Sequence, residues 1–130
     1  ANFPEQNANL YNKAAWNKSE ILRFNNVGDS MGHRLDTQGE QEVVGISFNE
    51  LTKGIDCIDL MKIDIEGAEE EFLCNKTSRL DKVQNIVIEL HPKLCDADRV
   101  LALLQKEFPH SHKIEGRIDS KPLLYLSKTA

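Results

Sequence analysis

Four ionisable side chains fall in two short blocks where an apolar run gives way to polar residues. The first block, Lys62-Ile-Asp64-Ile-Glu66-Gly67, closes a run that begins at Ile58. The second, Glu89-Leu-His91-Pro92, closes a run that begins at Gln84. Carboxylates and an imidazole gathered in one crevice can act as a general base, shift one another's proton affinity, or bind a hard cation through oxygen. The same residues also serve as plain structure: Glu66 and Glu89 as solvated turn groups, His91 as a hydrogen-bonded histidine ahead of a proline. Gly67 is the more telling member, because a glycine after a strand permits a sharp turn or a close backbone approach to a ligand.

Chemistry requires the two blocks to be neighbours, and the flanking pattern supplies elements that would place them so. Residues 58–65 (IDLMKIDI) and 84–91 (QNIVIELH) read as strands, buried over most of their length and ending in polar tips. In open parallel sheets ligands bind beyond the carboxyl ends of the strands. Between the two, Ala68 begins a helix whose first turn, Glu69 to Glu71, suits the positive end of the helix dipole. Residues 97–108 form the clearest helix, with Val100, Leu101, Leu103, Leu104 and Phe108 on one face. Asp96 or Asp98 caps it and Pro109 stops it. Residues 112–119 and 122–128 read as a closing hairpin.

Upstream, residues 8–16, 19–24 and 42–48 read as strands. Ser47 and Glu50 have capping-box spacing and Gly54 supplies a left-handed stop, predicting a helix of roughly two turns. Residues 25–42 form a long polar loop with three glycines, either a functional lid or a floppy insertion. The expected class is α/β: a largely parallel sheet, flanking helices and a C-terminal antiparallel hairpin.

Composition narrows the function. A chain of 130 residues has room for one domain, and 40% apolar content is enough to offset ordering entropy. Sixteen Lys and Arg against 21 Asp and Glu, without a basic cluster, argue against nucleic-acid binding. No apolar run reaches the roughly 20 residues of a membrane span. Cys57, Cys74 and Cys95 form no C-x-x-C pair and predict reduced thiols, Cys57 as a small buried hydrophobe within Ile55 to Leu60. With no basic-then-apolar leader in the opening residues, a cytoplasmic setting is expected. Glycine motifs for nucleotides, the G-x-S-x-G elbow and H-E-x-x-H do not occur.

The stretch Leu60-Met-Lys-Ile-Asp64-Ile-Glu66-Gly67-Ala-Glu69 resembles the "lKiDiEGaE" signature of the FkbM-type methyltransferases, which are S-adenosylmethionine-dependent O-methyltransferases. Further pieces follow in the family's order: LYNKAAW at 10–16, EVVGISFNEL at 42–51, NIVIELHP at 85–92 and PLLYLSK at 122–128. The resemblance implies a class I, Rossmann-like methyltransferase fold in which strands four, five, seven and six lie side by side. IDLMKIDI would be strand four and NIVIEL strand five. It implies that Asp64 contacts the acceptor or a divalent ion, that Glu66 shapes the acceptor side, and that Glu89 and His91 face the same crevice. Asp64 or His91 would be the base, while Asn12, Lys13 and Ala14 would lie near the adenine. Asp64, Glu89 and His91 could equally ligate Mg²⁺ or Mn²⁺ or act as hydrogen-bonding groups without metal.

The family's opening "D.GAn.G" and the following "fEp" acid have no counterpart here. The resemblance therefore implies an N-terminally truncated domain with one edge of IDLMKIDI bare, so that the chain is expected to be a fragment, to associate through that edge with a second copy, or to reposition its first strand over it. Two functions are expected side by side. One is O-methyl transfer to a small hydroxylated acceptor such as a sugar or polyketide. The other is a degenerate domain kept as a binding or assembly module.

Overall fold

A computed structural model describes residues 8–25, 34–35, 40–116 and 120–130 of the chain. Two four-stranded sheets carry it. The first is built from β1 (Ala14–Ala15), β2 (Ile21–Asn25), β3 (Arg34–Leu35) and β4 (Gln41–Ile46), in the order β1-β4-β2-β3. The β2–β4 pair is antiparallel, with Ile21 opposite Val44 and Phe24 opposite Gln41. Only β1 runs parallel to β4. The stretch expected as a loop over 25–42 is therefore partly strand: Arg34–Leu35 pairs with the end of β2, and β4 already starts at Gln41. The remainder of that loop, 26–33 and 36–39, lies outside the described residues.

Helix α1 (Phe48–Leu51) follows directly, shorter than the two turns expected. Its capping box is complete: the Glu50 amide donates to Ser47 Oγ at 3.3 Å and the Ser47 amide donates to Glu50 Oε2 at 3.0 Å. Gly54 adopts φ 78° and turns the chain out of the helix.

The second sheet holds β5 (Met61–Ile63), β6 (Asn85–Glu89), β7 (His110–Lys113) and β8 (Leu123–Ser127), in the order β5-β6-β8-β7. Helix α2 (Glu69–Leu73) crosses from β5 to its parallel neighbour β6. Helix α3 (Ala97–Glu107), capped by Asp96 accepting from the Arg99 amide at 3.0 Å, leads to β7. The hairpin then returns β8 antiparallel to both β7 and β6. A largely parallel sheet is thus not what forms. Parallel strands need a crossover of a dozen residues or more. Only the β5–α2–β6 segment provides one between strands that pair, so the other pairings in this sheet are antiparallel.

Ile63, Ile86, Ile88, Leu90 and Leu126 from the sheet pack against Phe72 and Leu73 of α2 and Val100, Leu104 and Phe108 of α3. Phe48 joins from α1, its ring 5.6 Å from that of Phe72. Full burial of side chains of this size is worth about 1.5–3 kcal/mol each. The 58–65 run is less buried than its composition implies. Only Ile63 is buried, Leu60 is 59% exposed, and β5 is the sheet's edge. Cys57, expected inside, is exposed on the connection that precedes β5. Among the described residues no helix is long and apolar enough to cross a membrane.

Candidate functional site

Side chains alternate across a strand, and neighbouring parallel strands keep residues in lateral register. Ile63 pairs with Ile88, so the next residues along, Asp64 and Glu89, fall beside each other at the strand tips. His91, two residues after Glu89, keeps the same side. One ligand atom from each of Asp64, Glu89 and His91 lies within 4.8 Å of the other two. Glu66 reaches the same point from the turn, its Oε2 3.4 Å from His91 Nε2. The four side chains singled out in the sequence, Asp64, Glu66, Glu89 and His91, are thus brought together.

The turn that delivers Glu66 is strained. Glu66 has φ 48° and Gly67 φ 100°. A non-glycine residue in the left-handed region costs about 1–3 kcal/mol and persists only where its surroundings impose it. Gly67 is fixed by packing as well, since a Cβ there would stand 2.5 Å from Leu94 Cβ.

Glu69 organises the interior of the site. Its side chain is fully buried, one face of α2 carrying Glu69 inward together with Phe72 and Leu73. The Gly67 amide donates to Glu69 Oε1 at 3.2 Å, and the Cys95 thiol donates to Oε2 at 3.3 Å. His91 Nδ1 lies 2.6 Å from Oε1. The Gly67 amide and the Cys95 thiol already donate to this carboxyl group, and Nδ1 is assigned as a further donor to Oε1. Burial first, and Glu69 second, push the Cys95 thiol up to about 12, leaving it an unreactive donor.

His91 Nε2 is buried and has no hydrogen-bond partner among the described residues. Its side chain is 1% exposed, with Glu66 Oε2 at 3.4 Å and Glu89 Oε1 at 3.8 Å. Among the described residues, Lys62 Nζ is 3.2 Å from Asp64 Oδ2 and Lys121 Nζ is 3.4 Å from Glu66 Oε2 at the rim.

Two cavities meet at Glu66. The larger, about 490 Å³, opens between residues 13–16 and 65–68 and includes Trp16, Glu70 and Glu71 in its walls. The smaller, about 230 Å³, is bounded by Glu66, His91, Lys93 and Lys121. Leu94 lines both. Lys13 and Ala14, expected near the donor, line the larger cavity, whereas Asn12 lines a third, shallower one of about 580 Å³ against β2 and β4. Glu69 and Trp16 were not singled out from the sequence. Glu69 sits in a run of three glutamates that reads as solvated, although its spacing to Phe72 and Leu73 is that of a helix's inner face.

The chain matches the model of the methyltransferase FkbM domain over residues 4–111 and belongs to that family. No curated protein and no solved structure matches it.

Proposed function

We propose that the chain serves S-adenosylmethionine-dependent methyl transfer to the oxygen of a small hydroxylated acceptor. The observation that carries this reading is Glu66 standing between two cavities, with a proton-accepting cluster directly behind it. The larger cavity suits the donor chemically. Glu66, Glu70 and Glu71 complement a sulfonium and an ammonium, Lys13 a carboxylate, and the Trp16 ring offers a flat apolar face to a purine. Its volume is within the roughly 300–1,000 Å³ of small-molecule sites. The order β5-β6-β8-β7 also corresponds to strands four, five, seven and six of a class I methyltransferase sheet.

When bound, the donor supplies an electrophilic methyl on sulfur. The chain's own contribution is orientation and proton removal. The smaller cavity would hold the acceptor, with Lys121 and Lys93 available to hydroxyl oxygens. A hydroxyl directed past Glu66 toward the larger cavity would give up its proton to the Asp64–Glu89–His91 group, whose imidazole is held in place by Glu69.

The test is transfer of a radiolabelled methyl from S-adenosylmethionine to a panel of sugars and polyketide alcohols, for the wild type and for Asp64→Asn. Labelled acceptor, with a loss of about 100-fold or more in the variant, is the expected result. An unchanged rate removes Asp64 from the chemistry, and no labelled product with any acceptor contradicts the proposal.

A further inference from the structure

We propose that Asp64, Glu89 and His91 form a divalent-cation site, with Glu69 as the positioning residue that aims the imidazole. Atoms bound to one small cation are at most two bond lengths apart, which is about 4–5 Å for bonds of roughly 2.0–2.4 Å. The three donor atoms lie within 4.8 Å of one another, at the outer edge of that limit, so a small inward movement closes them on an ion. Donors from two carboxylates and one imidazole suit Mn²⁺ and neighbouring divalent ions.

An independent observation points the same way. His91 is buried, and its Nε2 has no hydrogen-bond partner among the described residues, yet the ring is aimed into the cluster. The ion-pair distances from that nitrogen are to carboxylate oxygens, Glu66 Oε2 and Glu89 Oε1. Carboxylate oxygens gathered about a buried ring nitrogen that has no hydrogen-bond partner among the described residues favour a positive centre between them. The opposite nitrogen, Nδ1, is held 2.6 Å from the fully buried Glu69 carboxylate. A carboxylate behind the non-ligating nitrogen of a histidine is the usual support for a metal-bound imidazole. Among the described residues, Lys62 reaches Asp64 from an exposed surface and Lys121 reaches Glu66.

The assignment rests on the geometry of the cluster alone and goes beyond the methyl-transfer reading. In the cation-loaded form the three donors no longer take the acceptor's proton directly, and Glu66, which faces both cavities, takes it in their place.

Mn²⁺ titrated into the metal-free 130-residue chain, with unbound Mn²⁺ followed by electron paramagnetic resonance, tests it. One saturable site per chain is expected, and the electron-spin-echo envelope of bound Mn²⁺ should carry ¹⁴N modulation from His91. Asp64→Asn, at an exposed position, should keep the fold by circular dichroism and abolish the site. Glu69→Gln should retain the ligands but weaken binding about 10- to 100-fold. Absence of saturable binding up to millimolar Mn²⁺ overturns the site. Binding that lacks nitrogen modulation or survives Asp64→Asn overturns it too. Donor binding measured on the same samples is independent, so failure of this site is separable from failure of the methyl-transfer reading.

Discussion

Gly67 is constrained twice, by its left-handed backbone and by the Leu94 side chain against it. Gly67→Ala should therefore destabilise the chain by roughly 2–4 kcal/mol, read from the urea midpoint at constant slope. A change within about 0.5 kcal/mol would contradict the packing described. Its neighbour Glu66 bears the strain without glycine's freedom, and that is the mark of a position held for its side chain. The sequence discloses much at this scale. Asp64, Glu66, Glu89 and His91 are recognisable because polar residues at the ends of two apolar runs converge once the strands pair. Glu69 is hidden because a carboxylate in a glutamate run looks solvated, and nothing local reveals that an imidazole from a distant strand tip will bury it.

Among the elements, α1 is the one whose stability is written most directly in its residues. The Ser47 amide foremost, then the Ser47 hydroxyl and Ser19, hold the exposed Glu50 carboxyl down to about 2. With its folded-state value depressed, Glu50 contributes fully above the ordinary carboxylate range, and the contribution disappears as pH falls through that value. Acid unfolding of the wild type should thus steepen between about pH 4.5 and about pH 2, and Glu50→Gln should flatten that part of the profile. Identical profiles would contradict a working capping box. The box, the Asp96 cap, the α3 face and the closing hairpin are all legible because each rests on contacts near in sequence. Strand direction is not. The 19–24 and 42–48 runs look like members of a parallel sheet, but β2 and β4 pair antiparallel, and the described part of the connection between them is the short strand β3. Burial of the 58–65 run fails for a related reason: composition cannot show that β5 lies at an edge. Its three-residue length and the charge of Lys62 blunt that edge.

In the whole molecule, the two sheets meet where the larger cavity opens. The Trp16 amide donates to Ile46 O at 2.9 Å, keeping β1 against β4. Asn75 Nδ2 donates to Asn17 O at 2.9 Å, and the Asn17 amide group reaches the Glu71 carboxylate, fastening the first sheet to the segment around α2. Arg99 Nη1 donates to Glu70 Oε1 at 2.7 Å and ties α3 to the same helix. Residues 13–16 and 65–68 are thus set facing each other by contacts within the protein, so the walls precede any ligand. The only tryptophan of the chain stands in that wall and reports on whatever enters. The most direct measurement is calorimetric titration of S-adenosylhomocysteine into the 130-residue chain, with Trp16 emission followed in parallel. Saturable heat at one ligand per chain, with a matching change in Trp16 emission, is the result this account predicts. Neither heat nor a change in emission up to millimolar ligand would contradict it.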